Sequence, residues 1–527
     1  MILITSAAFL DQELGAEFGR IPPAFLPIGN KRLFTYQVKE LPKNETIYLT
    51  IPKAYILNEH DTCLLKELSI KVLRLPEGIG LGQSILFALD LIDFNGEPLK
   101  ILHGDTLLGG INHKAMDIIA VSEVDDNYNW AIYCDSGEKT LIDFVHVNDT
   151  MKETYWVANG YFSFSNTKLF IESIQSANGD FIQGINNYSA KKKLGKYKAS
   201  FWHDFGHVHT YFRSKSHVTT QREFNNIEIS DKTVKKTSYK KNKMKAEANW
   251  LSGLPNNLKL YAPHFISHLD EGYEIEYLHY NSLSELYVFG MLPVFVWKKI
   301  LNACFEFLDE CSKHKEEKEK NYNFKENVFC NKTKTRLSDF SKSTSIDLHQ
   351  KWRFNGKKIS SIESILSQTE SYLPSLNESQ RCISHGDFCF SNILYDSRSQ
   401  SIKVIDPRGC DYKGDISLYG EQLYDIAKIS HSILGMYDFI IAKNYKLIKR
   451  NYDIEFHLFK HASVNKIQNT YVQMLNEKYA LTQKNLNAMQ IQLFLSMLPL
   501  HKDDVDRQNA LLANAFRLYA ELDWEKK

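Results

Sequence analysis

The chain has 527 residues, 43% of them hydrophobic and 24% charged, which is ordinary composition for globular protein and too long for a single core. A net charge of +1 gives no electrostatic reason to expect nucleic acid or an anionic membrane as partner. The eight cysteines are scattered, none in a CxxC pair, which excludes a disulfide framework and fits reduced thiols.

The chain opens with short apolar runs of buried-strand type at Met1–Ala7, Glu45–Pro52, Ile70–Leu75 and Leu99–His103, with a helical pattern at Ser84–Ile92. Strands alternating with helices imply a mixed, mostly parallel α/β sheet covered on both faces. The pattern weakens after residue 110 and returns at Asn159–Ser165 and Ala199–Phe205. Composition shifts between 213 and 246, and Lys232–Lys245 holds seven lysines, so a boundary is expected between residues 215 and 220. A small strand-rich lobe is expected over 220–280. The remainder, 281–527, holds long helical segments from Leu283 onward, and 415–527 reads as largely helical. The charged run 313–336 reads as a solvated helix end and loop; within it Lys332–Arg336 could line a substrate or phosphate site, with a plain solvated surface the favoured reading.

The most informative segment is ISHGDFCFSNILYD at 383–396, followed by IKVIDPRG at 402–409. His385-Gly386-Asp387 precedes Asn392 with the spacing HGDxxxxN, and Asp406 follows an apolar strand fourteen residues later. Phosphoryl transfer requires a carboxylate beside the attacking hydroxyl and oxygen ligands for Mg²⁺. Asp387 has the type for the first role, Asn392 and Asp406 for the second. Val234–Ser238 reads as a strand and Met244–Leu251 as a helix, which makes Lys236 the candidate phosphate lysine and Glu247 its partner. Lys235 competes, because alternation alone does not say which lysine points inward.

These residues resemble the aminoglycoside phosphotransferase and choline kinase superfamily. The resemblance implies an α+β, protein-kinase-like domain over 220–527 that uses Mg²⁺ and ATP to phosphorylate a small-molecule hydroxyl. Asp387 would be catalytic, Lys236 and Glu247 would bind ATP, and Asn392 and Asp406 would hold metal. YDIAKISHS at 424–432 is similar to the superfamily's helix after the metal loop, with Asp425 structural. A hinge for adenine would fall near Tyr273–Leu278.

A second pattern occupies residues 1–215. LPEGIGLGQSILFALD spans 75–90, ILHGDTLL spans 101–108 and FWHDFGHVHTYF spans 201–212. A strand ending in Gly104-Asp105 puts a carboxylate at the carboxyl edge of a sheet, where open α/β folds bind ligands. Asp204 could reach the same Mg²⁺. These residues resemble the sugar-phosphate nucleotidyltransferases, a GT-A-like fold. Trp202, Asp204, Gly206 and Tyr211 match a WxDxGxxxxY-like segment. Gly80, Gly82 and Gln83 match the glycine-rich base-recognition stretch, and ANGYFSF at 158–164 matches the sugar-binding strand. The resemblance implies a second NTP substrate, CTP among the candidates, metal at Asp105 and Asp204, and phosphate contacts from Arg20. Pro23 stands where the family carries lysine, and Lys31 is the nearby substitute. The opening segment is similar to a divergent branch found in bacterial capsule and lipopolysaccharide gene clusters.

The expectation is therefore a cytoplasmic bifunctional enzyme that acts on small molecules, without nucleic acid or an integral membrane segment, and with homo-oligomerisation open. Its rivals are an active kinase fused to an inactive nucleotide-binding scaffold and a non-enzymatic assembly protein with a pseudokinase. A zinc site at His203, His207 and His209 has no established ligand spacing. Cys304 and Cys311 read as core.

Overall fold

The computed structural model describes residues 1–93, 96–125, 128–135, 140–144, 154–218, 226–230, 232–316, 325–374 and 381–522. The chain divides into two units, Met1–Thr219 and Thr220–Lys527.

The first unit is built on a nine-stranded mixed sheet. Ile70–Leu75, Ile47–Pro52, Ile2–Thr5 and Leu99–His103 lie side by side and parallel. Their apolar runs are those of strands covered on both faces; Ile2, Leu3 and Ile4 have no exposed surface. The chain moves outward from Ile2–Thr5 to Ile70–Leu75, then returns to its other side with Leu99–His103. The order therefore reverses at the carboxyl ends of Thr5 and His103, which is where a crevice opens in such sheets. Beyond it, Tyr155–Phe164 runs antiparallel and shifts register between Ala158 and Phe162, around Gly160 at φ 92°. The helix Leu81–Asp90 buries Ile85, Ala88 and Leu89 against this sheet. Its Gly82 is required by packing, since a Cβ would sit 2.4 Å from the Gly179 carbonyl oxygen.

The region after residue 110 departs from expectation. Ile118–Val124, Ala131–Asp135 and Thr140–Phe144 are all strands of the same sheet. Isolated polar residues hid their periodicity, and pairing with Tyr155–Phe164 and with each other supplies what local pattern did not.

The second unit begins with a four-stranded antiparallel sheet in the order Asn226–Ile229, Thr233–Thr237, Gly272–Glu276, Phe265–Leu269. The helix Lys241–Gly253 is inserted after Thr233–Thr237 and buries Met244, Ala248, Trp250 and Leu251. Gly272 lies so close to its neighbour that a Cβ would meet the Lys236 carbonyl oxygen at 1.9 Å. The larger part is helical. Leu283–Phe289 starts with a capping box between Ser282 and Glu285, and Val294–Ser312 runs nineteen residues with Trp297, Ile300, Cys304, Phe307 and Cys311 buried. Cys304 and Cys311 are thus core residues, as their spacing indicates.

Residues 415–527 are largely helical, as expected, and also include the hairpin Tyr445–Arg450 and Asp453–Leu458, which joins Trp352–Phe354 and Lys357–Ile359 in a second four-stranded sheet. Their strict alternation, with Ile454, Phe456 and Leu458 inward, was the strand signal. The charged run 313–336 is not a uniformly solvated insert. Its last residues begin the helix Asn331–Thr344, and Thr333 donates to the Gln492 carbonyl at 3.3 Å in the unit's interior. Residues 317–324 of that run lie outside the described residues.

Candidate active sites

In the first unit a cleft of about 760 Å³ opens at the sheet's reversal point. Gly80 and Gln83, at the start of the helix Leu81–Asp90, line it, as do Asp105, Asp204 and the strand residues Ala158, Asn159 and Gly160. Gly104 brings Asp105 to the edge: its amide donates to the Thr5 carbonyl at 2.8 Å, and a Cβ there would lie 2.6 Å from that oxygen. Asp204 ends the short strand Phe201–Asp204, which pairs with Thr106–Gly109 so that Asp204 faces Thr106. The Phe205 amide donates to the Asp105 carbonyl at 2.8 Å. The two carboxylates flank Gly206, where a Cβ would stand 2.9 Å from Asp105 Oδ2 and 3.5 Å from Asp204 Oδ1.

Burial, and then the neighbouring Asp105 carboxylate, push Asp204 up to about 7. Two carboxylates held together in a half-dry site are short of a cation, and hard oxygen donors suit Mg²⁺. The residues present therefore fit the metal. Two buried polar atoms in the same cleft, His103 Nε2 and Asn159 Oδ1, have no hydrogen-bond partner among the described residues. Short sequence motifs do not reveal them: His103 directly precedes Gly104-Asp105 at the end of an apolar strand, and Trp130, also in the cleft, lies in the stretch where periodicity fails.

Other expected residues stand elsewhere. Arg20 is largely exposed, pairs with Glu77 at 2.6 Å and covers the Phe9 ring at 4.2 Å; it does not line the cleft. Lys31 is exposed on the short strand Lys31–Arg32 and does not line the cleft either. Gly82 packs against backbone behind Gly80 and Gln83. Loop length explains the placement of Arg20 and Lys31, because a stretched loop after the first strand carries its charged residues away from the sheet edge.

In the second unit the expected residues converge. Lys236 is 3% exposed and its Nζ lies 2.7 Å from Glu247 Oε2 and 2.9 Å from Asp406 Oδ1. Lys235 points outward on the same strand. Glu247 also accepts from the Tyr273 hydroxyl at 2.8 Å. Burial would lower the Lys236 pKa, but Asp406 and Glu247 together raise it, so the ammonium stays charged. Tyr273 belongs to a strand and serves this ion pair, whereas the sequence placed it in a hinge.

The loop 385–392 is held from behind. Asp425, on the helix Gln422–Ile433, accepts from the Ser384 hydroxyl at 2.9 Å and from the amides of His385 and Gly386 at 2.9 and 2.8 Å. His385 Nε2 meets the Ile405 carbonyl at 3.0 Å, and the Ile405 amide donates to the Asn392 carbonyl at 3.0 Å. These bonds fasten the loop to the strand end that carries Asp406, whose φ is +57°. Asn392 Nδ2 donates to the Asp387 carbonyl at 2.9 Å and to Asp387 Oδ2 at 3.1 Å. Asp387 also pairs with Lys428 at 2.7 Å. Burial would raise the Asp387 pKa, but Lys428, with His385 and Arg408, holds it well below the usual carboxylate range. Lys428 was missed from the sequence although it lies three residues after Asp425 on one helix, a spacing that puts both on one face. The carboxylate of Asp406 and the amide oxygen of Asn392 are hard donors and fit Mg²⁺.

A scan against protein-family models finds no match to this chain, and a comparison with curated proteins finds none. Solved structures do match, and the likeness falls in the N-terminal two fifths. A UDP-glucose pyrophosphorylase complexed with UDP-glucose is 16% identical over 41% of this chain and 97% of its own, with a TM-score of 0.32. A nucleoside-diphosphate-sugar pyrophosphorylase from Vibrio cholerae RC9 is 15% identical over 41% and 99%, with a TM-score of 0.33. An inositol-1-phosphate CTP transferase from T. maritima is 14% identical over 41% and 95%, with a TM-score of 0.32. Among the described residues no helix is long and apolar enough to cross a membrane.

Proposed function

We propose that the chain is a bifunctional enzyme whose second unit phosphorylates a small-molecule hydroxyl with Mg·ATP and whose first unit transfers a nucleotidyl group to a sugar or alcohol phosphate. The observation that carries the kinase half is the convergence of Lys236, Glu247, Asp387, Asn392 and Asp406 from separate segments onto one place. In this reading the acceptor hydroxyl oxygen attacks the γ-phosphorus of ATP. The new O–P bond forms as the bond to the β–γ bridging oxygen breaks, the hydroxyl proton passes to Asp387, and ADP leaves. Lys236 meets the ATP phosphates, and Glu247 with Tyr273 keeps its ammonium in place. Asp387 is ionised at neutral pH and Lys428 fixes its direction. Asn392 and Asp406 would hold Mg²⁺, which supplies charge neutralisation on the phosphates when bound.

The first-unit half rests on the Asp105–Asp204 pair in the cleft. The nucleotidyl acceptor's phosphate oxygen attacks the α-phosphorus of an NTP and pyrophosphate departs. The two carboxylates would hold the Mg²⁺ that offsets this charge. Gly80 and Gln83 lie where a base would be read. One unit would make the phosphate monoester that the other consumes.

ADP release by the full-length protein is to be measured with Mg·ATP against a panel of sugars, polyols, hydroxy acids and amino alcohols. Pyrophosphate release is to be measured with each of four NTPs and the phosphorylated product. Acceptor-dependent ADP release is expected, and its absence across the panel refutes the kinase reading. Pyrophosphate release with none of the four NTPs refutes the nucleotidyl half alone.

A further inference from the structure

The helix Asn331–Thr344 and the segment after Asp406 bring an unusual set of charges to Tyr424, one turn along the helix from Lys428. Lys332 Nζ lies 3.0 Å from the Tyr424 hydroxyl, and Arg408 Nη2 lies 2.8 Å from it. The Arg408 guanidinium also covers the Tyr424 ring at 4.6 Å. Arg336, one turn after Lys332, is tied to the Ser496 carbonyl at 3.2 Å. Among the described residues no carboxylate lies within ion-pair distance of Lys332, Arg336 or Arg408. The carboxylate that Arg408 faces, Asp387, is already paired with Lys428. Burial would raise the phenol of Tyr424, yet Arg408, Lys332 and Lys428 draw it down to about 7. One phenol does not neutralise several half-buried cations, and a bound anion is the economical remedy for the remaining charge.

The local backbone is built for this approach. Gly386, at φ +74°, lies under Arg408 so closely that a Cβ would be 2.7 Å from Arg408 Cβ. The Arg408 amide donates to the His385 carbonyl at 2.8 Å, which fixes the arginine beside Asp387. A groove of about 30 Å³ lined by Gly386, Arg408 and Tyr424 opens there. One water needs roughly 10–15 Å³ by this measure, so the groove holds about two or three water-sized groups, enough for oxygens of a bound anion. Asp411 and Glu421 also border it, but Asp411 is turned into its own loop, where it accepts from the amides of Lys413 and Asp415.

We infer that the acceptor phosphorylated in the second unit is a hydroxy compound with an anionic group, a carboxylate or a phosphate, seated against Lys332, Arg336 and Arg408 around Tyr424. This rests on the kinase reading above. The anion and the reacting hydroxyl belong to one small molecule, because Arg408 and Lys428 bridge from Tyr424 to Asp387. Arg408 and Lys332 each offer donors to such an anion, and the fork of Arg408 matches either oxyanion.

The test has two arms on the full-length protein. Inorganic phosphate is titrated calorimetrically with saturating Mg·ADP present, so that the nucleotide site is filled. Lys332→Met is expected to weaken phosphate binding at least tenfold while ADP affinity changes less than twofold. Arg336→Gln, nearer the rim, is the second variant should Lys332→Met fail to fold, as judged by its melting curve. In the other arm ADP release from Mg·ATP is compared for glycerate, glycerol 3-phosphate and glycerol, and for gluconate and glucose. The acidic member of each set is expected to be the better acceptor, and both variants should raise its KM more than they lower kcat. Glycerate against glycerol 3-phosphate separates carboxylate from phosphate. Unchanged phosphate affinity in both variants, or preference for the neutral alcohols, overturns the inference. Variant-sensitive phosphate binding with no transfer to any acceptor refutes the kinase reading instead, and leaves an anion site without an acceptor role.

Discussion

Lys236→Met is the perturbation that separates structural from catalytic use of the buried ion pair. The substitution keeps the length of the side chain and removes its charge. Glu247, 1% exposed, then loses its cation at 2.7 Å and keeps only the Tyr273 hydroxyl and Lys243 at 3.5 Å. Breaking a buried pair by removing one partner costs about 3–5 kcal/mol, because the other charge is left in a dry site. Asp406, 28% exposed at its side chain, can be rescued by water and should add little. Replacing both partners, Lys236→Met with Glu247→Gln, leaves a neutral amide that still accepts from Tyr273. Its stability should return to within about 1–2 kcal/mol of the parent. Turnover should not return, since a preorganised donor on developing phosphate charge is worth about 10²–10³-fold. Urea unfolding of the second unit and ADP release are measured on all three proteins. Lys236→Met as stable as the parent, or recovery of turnover in the double variant, refutes the reasoning. Alkaline pH gives the sign of the same pair. The raised Lys236 pKa means that its contribution is fully present below the unfolded value of 10.5 and is lost only as pH rises beyond it.

Three further outcomes are expected. Asp387→Asn should lower phosphoryl transfer about 10²–10⁴-fold with Mg·ATP affinity retained, and activity within threefold of the parent in ADP release would exclude Asp387 as base. Asp105→Lys should abolish NTP-dependent pyrophosphate release and leave ADP release by the second unit unchanged; equal loss of both would deny separate sites. Asp438 is buried and pushed up to about 6 by burial, against hydrogen bonds from Ser432 and Ser284. Its unfolded form releases the proton near 3.8, so stability should fall by about 3 kcal/mol as pH rises from 4 to 6 and then level off. Asp438→Asn should flatten that slope in urea titrations, and an unchanged slope would count against a protonated Asp438.

The spacing HGDxxxxN with Asp406 fourteen residues on, the strand ends at Asp105 and Asp204, and the apolar runs of the first unit were all legible in the sequence. They are local: fixed offsets within a loop and a strand leave little freedom for where carboxylates can point. What the sequence left undecided was set by pairing between distant segments. Strand alternation makes Lys235 and Lys236 equivalent until the sheet packs on a helix, and only then is Lys236 the one that meets Glu247 and Asp406. Arg20 and Lys31 are near the motif in sequence, yet the loop's path takes both away from the cleft. Lys332 is one lysine in a run that reads as solvated, and its contact with Tyr424 joins residues ninety-two positions apart. Charge runs carry no periodicity that marks one member as buried, so tertiary packing alone determined that Lys332 would meet Tyr424 while Arg20 and Lys31 would stand away from the cleft.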